Sequence, residues 1–168
     1  MKYSLEDTQK LVARMGYKGI SIPMDDMVCR EGYKGDLPIF PSNSICIDMD
    51  QVEKLRSLAD NRERQKSIDS TYMIDDGETS EAVLVEYKLN YVNNVNNFSL
   101  TDTKSKCEAS EAVLKEFGAC IHPKVYCVFH TNFIEEARNR LYRRFLGKMP
   151  PPYVVVDVAR LSELHFVD

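Results

Sequence analysis

Asp69 and, 17 residues on, Glu86-Tyr87-Lys88 have the residue types and spacing to do chemistry. An aspartate and a glutamate offer the hard oxygen ligands that Mg2+ or Mn2+ takes, and Mg2+ is usually held by only one or two protein carboxylates. A lysine beside such a cation has its pKa depressed, which suits it to position or deprotonate a water. Phosphodiester hydrolysis needs both functions: charge neutralisation at the reacting phosphoryl group and an activated water. The triplet by itself discriminates loosely. Asp102-Thr103-Lys104 also fits acid-x-Lys, yet opens a helix.

The setting of the triplet is a strand. Val83, Val85, Tyr87 and Leu89 alternate with Ala82, Leu84, Glu86 and Lys88. Period two puts Glu86 and Lys88 on one face, about 7 Å apart. Charges in the middle of an apolar strand need a partner or a function. A Glu–Lys ion pair on a solvated sheet face fits the alternation equally well. Ile68, Tyr72 and Ile74 alternate with Asp69, Thr71 and Met73, which predicts a strand over 67–74. Asp75-Asp76-Gly77 is a turn signal, so 67–74 and 82–89 form a candidate hairpin.

The elements that must position this pair read as follows. Ser4 caps a helix over 4–15 that Gly16 ends. Gly19 to Met24 and Met27 to Cys29 suggest a small edge hairpin, and 32–44 an irregular connection. Residues 1–45 are therefore expected to be an accessory segment on a core of 46–168 within one domain, 1–168. Asp50 with Glu53 fits a capping box; Val52, Leu55, Ala59 and Glu63 follow as a helical stripe, with Glu63 at its sheet end. A carboxylate there is commonly solvated, or else aimed at a site.

Asn90 to Asn97 holds five asparagines and no period, a loop. Thr101 or Asp102 then caps a helix carrying Ala109, Ala112, Val113 and Phe117, ended by Gly118. Lys124 to His130 is a third strand. Asn132 and Glu135 open a helix with Ile134, Ala137, Leu141 and Phe145 inward, stopped by Gly147. Pro150-Pro151-Pro152 leads into a last strand, Tyr153 to Val158. The order gives an α/β class, a mixed central sheet flanked by helices.

Ile68-Asp69-Ser70, the Asp75-Asp76-Gly77 turn and Val83-Leu84-Val85-Glu86-Tyr87-Lys88 together resemble the core of the PD-(D/E)XK nuclease superfamily, over roughly residues 50–130. The resemblance implies a restriction-endonuclease-like fold and a Mg2+-dependent phosphodiesterase acting on nucleic acid. It makes Asp69 and Glu86 metal ligands and Lys88 the catalytic lysine. Many members add a glutamate from the preceding helix, for which Glu63 is the nearer match and Glu53 the second. Ser67-Ile68 stands where a proline often precedes the aspartate. The family also places a strand before the aspartate-bearing one. Gln65 to Ile68 leaves no room for it, so either residues 44–49 supply it or the helix is shorter than its stripe suggests.

Charge and composition set the limits. The net charge of −4 opposes phosphate binding, whereas Lys54, Arg56, Arg62, Arg64 and Lys66 form one basic run and Arg138, Arg140, Arg143, Arg144 and Lys148 a second. Arg62, Arg64, Arg140 and Arg144 are the candidate nucleic-acid contacts, although a solvated helix face explains either run alone. Tyr87 and Tyr91 could stack on bases, but core packing is the commoner use. Five cysteines without a CxxC argue against a disulfide framework and a structural zinc site. Cys120, His122, Cys127 and His130 read as core and edge residues. No apolar run is long enough to span a membrane and the first residues lack a signal-peptide core, so a cytoplasmic location is expected. The expected substrate is DNA, with a homodimer or protein partner completing so small a chain. The competing expectation is a non-catalytic binding or scaffolding protein whose Asp/Glu/Lys set is an incidental ion-pair cluster.

Overall fold

Hydrophobic alternation over 70–88 dominates the architecture. The computed structural model describes residues 1–90, 98–147 and 149–167. Its elements are β1 (Lys2–Tyr3), α1 (Leu5–Met15), β2 (Ser21–Pro23), α2 (Met24–Arg30), β3 (Ile45–Asp48), α3 (Met49–Ala59), β4 (Ser70–Asp75), β5 (Ser80–Lys88), α4 (Leu100–Glu116), β6 (Cys120–Phe129), α5 (Ile134–Arg144), β7 (Tyr153–Asp157) and α6 (Val158–His165). One mixed seven-stranded sheet runs β2-β3-β4-β5-β6-β7, with β1 added on β4. The β2–β3, β3–β4 and β4–β5 pairs are antiparallel; β5–β6 and β6–β7 are parallel. Parallel neighbours need a crossover, and α4 and α5 provide them. The α/β class with a helix-flanked mixed sheet is thus the observed one.

Period two in β5 splits the core into two faces. Val83, Val85 and Tyr87 pack with Tyr72, Ile74, Tyr126 and Val128 beneath α2 and α6. Ala82 and Leu84 pack with Leu11, Met49, Val52, Cys107 and Leu114 beneath α1, α3 and α4. A third cluster around Cys127, Phe129 and Val155 seats α5 through Ala137 and Leu141. Glu86, an even-numbered residue of β5, consequently faces α4 rather than solvent. Burial of Leu84 and its neighbours at roughly 1.5–3 kcal/mol per large side chain supplies the rigidity that holds a charge there.

Several expectations are corrected. Residues 24–30 are helical, not half of a hairpin, because Met24, Met27 and Val28 fall at i, i+3 and i+4 and all are buried. Asp48, not Asp50, caps α3, its side chain accepting from the Gln51 amide at 3.0 Å. Ile45–Asp48 does form a strand beside β4, and α3 ends at Ala59, with Asn61 in the left-handed region at φ 48°. Both halves of the alternative posed by the sequence therefore hold. Ser99 caps α4, and its buried face is Thr103, Cys107, Ser110, Val113 and Leu114; Ala112 is exposed. The helix after Asn132 is capped by no side chain and follows a 3-10 turn, Thr131–Phe133. Helix α6, capped by Asp157, has no counterpart in the sequence reading.

Residues 1–45 place α1 and α2 on opposite faces and β1 and β2 in the sheet itself. Of the expected loop Asn90 to Asn97, the part from Tyr91 on lies outside the described residues, as does Lys148. Among the described residues no helix is long and apolar enough to cross a membrane.

Candidate functional site

Ser70 is opposite Val85 at the last bonded rung of the β4–β5 ladder. One step further, Asp69 therefore reaches the strand position of Glu86. Its Oδ2 accepts from the Tyr87 amide at 2.6 Å, and its own carbonyl accepts from the Met49 amide that begins α3. Both ends of Asp69 are fixed by backbone. Glu86 is fully buried. Lys88, two residues on and on the same face, donates to Glu86 Oε1.

A fourth group, unforeseen from the sequence, completes the cluster. Lys106 of α4 donates to Glu86 Oε1 at 2.7 Å, and its Nζ is 3.6 Å from Asp69 Oδ1. One ammonium group thus stands between the two carboxylates. Lys106 lies one residue from the buried Cys107, on the helix face whose buried positions include the polar Thr103 and Ser110. Buried small polar residues on a helix mark a face that meets something other than plain core, and that was the available signal. At the mouth, Lys66 pairs with Asp102, the residue one turn before Lys106. Lys66, Lys88 and Lys106 thereby gather from three segments around Asp69, Glu86 and Asp102.

Burial, and next the charge of Glu86, push the Asp69 carboxyl up to about 7; Lys106 and the Tyr87 amide oppose this without overcoming it. Burial alone would lower the Lys106 pKa, but Asp69 and Glu86 outweigh it and hold the amine above its ordinary value. The pair Asp69 and Lys106 therefore does not behave as a simple salt bridge. Desolvation governs the acid and Coulombic attraction governs the base.

The other sequence candidates lie elsewhere. Glu63 is exposed, beyond the end of α3, because the helix stops a turn short of it; it is not presented to the cluster. Glu53 is buried but clamped: Arg62 donates to both its oxygens at 2.6 and 3.1 Å, and the Gln65 amide donates at 2.7 Å. Its role is to tie the chain after α3 back to the helix. The Arg62 guanidinium also meets Asp60 and the Glu63 carbonyl, so the structure gives this candidate contact a role inside the fold. Arg64 is half exposed and donates to the Asp50 carbonyl. Arg140 pairs with Glu136 on the surface, and Arg144 donates to the Phe98 carbonyl at 2.8 Å. Arg64 and Arg140 present charge to solvent, whereas Arg144 ties α5 to the start of α4. His122 sits on Glu81 at 2.7 Å, beside the opposite end of β5. His130 follows the partner of Lys88 on β6 and stacks on Tyr33.

The donor set is compatible with a hard divalent cation. It offers two carboxylates, and Glu86 Oε2, buried, accepts no hydrogen bond from the protein. Asp69 Oδ1 and Glu86 would hold Mg2+ or Mn2+, within the one or two carboxylates Mg2+ commonly takes. No larger group of three or more His, Cys, Asp or Glu side chains able to hold a metal occurs among the described residues. Comparison with protein families, with curated proteins and with solved structures finds no match.

Proposed function

We propose that this protein is a Mg2+- or Mn2+-dependent phosphodiesterase of the PD-(D/E)XK kind, acting on nucleic acid, with DNA as the substrate and the cytoplasm as its place of action. The observation that carries the reading is the convergence of two buried carboxylates on one cation: Lys106 Nζ is 2.7 Å from Glu86 and 3.6 Å from Asp69. When bound, a divalent ion would neutralise charge on the phosphodiester and lower the pKa of a water. Asp69 and Glu86 fix the position at which positive charge is held. Lys88, reaching Glu86 from the same strand face, is the group placed to orient water. Lys66, paired with Asp102, would receive a phosphate at the rim, and Arg64 and Arg140 would hold the backbone further out.

The test is cleavage of plasmid and linear DNA with Mg2+ or Mn2+, comparing wild type with Lys88→Met and with the Asp69→Ala/Glu86→Ala double variant. The reading expects loss of cleavage by about 100-fold or more in both, and loss of Mn2+ binding in the double variant alone. Metal binding absent from the wild type at millimolar concentration, with no cleavage, would remove it.

A second reading, a non-catalytic binding protein, draws on a specific observation. Two lysines already face the two carboxylates, so the cluster is balanced as an ion-pair network. In that case the double variant loses stability and nothing else.

A further inference from the structure

Lys106 stands where a metal ion would have to go. Its ammonium lies between Asp69 Oδ1 and Glu86 Oε1, and a divalent ion bound by the same carboxylates at about 2.0–2.1 Å would fall within a few ångströms of it. Two cations cannot share that position, because buried charges are weakly screened. Glu86 Oε2, buried, has no protein donor, and Asp69 Oδ2 is taken by the Tyr87 amide.

Asp102 provides a place to which the amine can move. It precedes Lys106 by four residues on α4, so the two side chains share a helix face. It is half exposed and already pairs with Lys66. Lys106 is itself one-fifth exposed, so its flexible side chain is open to solvent on one side.

We propose that Lys106 is a resident counter-ion that a divalent metal displaces, so that this helix-borne lysine sets the metal affinity of the Asp69–Glu86 pair and, once displaced toward Asp102, faces the substrate phosphate. The proposal rests on the metal-dependent reading above. Lys106 is a positioning residue in the free protein, its ammonium compensating the Asp69 and Glu86 carboxylates.

Mn2+ titration by calorimetry on wild type, Lys106→Met and Lys106→Gln tests it. Both variants are expected to bind Mn2+ at least tenfold more tightly than wild type. In the absence of metal both should melt at lower temperature, with a larger rise on adding Mn2+. The wild type gives an independent readout: acylation of Lys106 by an amine-specific reagent, followed by mass spectrometry, should rise several-fold with Mg2+, while exposed Lys104 stays constant. Equal or weaker Mn2+ binding by the variants, beside a wild type that binds, overturns the displacement and leaves the metal site standing. Unchanged acylation in a wild type that binds metal overturns it likewise. Folded wild type and variants that all fail to bind Mn2+ overturn the metal reading and this inference with it.

Discussion

The Tyr87 amide donates to Asp69 Oδ2 across the end of the β4–β5 pair, at 2.6 Å. A side chain thereby takes the place that a main-chain carbonyl would have had on the next rung. The carboxylate is fixed at the strand position beside Glu86. Asp69 is committed before any ligand arrives, the kind of preorganisation that makes an electrostatic site effective.

The first consequence concerns pH. Asp69 has its folded pKa raised to about 7, first by burial and then by Glu86. Between roughly pH 4 and 7 the folded state binds a proton that the unfolded state has released, so this group's contribution to stability falls as pH rises through that window. Asp69→Asn removes it. Denaturation in EDTA at several pH values should show a stability slope over pH 4–7 more positive than wild type by up to about 1.4 kcal/mol per pH unit. An unchanged slope would mean that the carboxyl ionises normally in the fold.

His165 works in the opposite direction. Burial, then His122, lowers its pKa to about 4. Its Nδ1 lies 2.6 Å from the Tyr72 hydroxyl, which donates to it in the neutral tautomer that carries its proton on Nε2. Between about pH 4 and 6.5 the unfolded state takes up a proton that the folded state refuses, so stability from this residue is lost as pH falls. His165→Gln should flatten the acid side of the stability profile while lowering stability near pH 7. A variant profile parallel to wild type would contradict the buried neutral ring.

Glu86 is where the ion network is most exacting. Both Lys88 and Lys106 donate to its Oε1 in a fully buried setting. Removing the charge strands two partly buried amines, so Glu86→Gln should cost about 3 kcal/mol in chemical denaturation. A loss below roughly 0.5 kcal/mol, the size of an exposed pair, would show that the lysines find other partners.

The two arginines of the first basic run should separate cleanly. Arg62 clamps buried Glu53, and half-exposed Arg64 meets the Asp50 carbonyl and, at 3.9 Å, its exposed carboxylate. Arg62→Met should lower the melting temperature clearly more than Arg64→Met. Arg64→Met should instead leave stability unchanged and reduce the salt slope of DNA binding by about 1. A matched effect of both on DNA binding, with neither affecting melting, would reverse the assignment.

Residues 67–89 by themselves determined the hairpin and the shared face of Glu86 and Lys88, because period two and the Asp75-Asp76-Gly77 turn are local signals, while the register that sets Asp69 beside Glu86 is read from the folded ladder. The α/β class followed in the same way from the order of periodic segments. Tertiary structure alone decided three further matters. It turned residues 24–30 into a helix, since the three buried apolar positions needed the cover of a sheet face formed by distant strands. It withdrew Glu63 and gave Glu53 to Arg62, because a helix end depends on what the chain meets next and not only on its stripe. It also brought Lys106 between Asp69 and Glu86. A lysine on an amphipathic helix reads as solvated until the crossover from β5 to β6 lays that helix over the sheet, and no local pattern encodes which of its turns will face a charge 20 residues upstream.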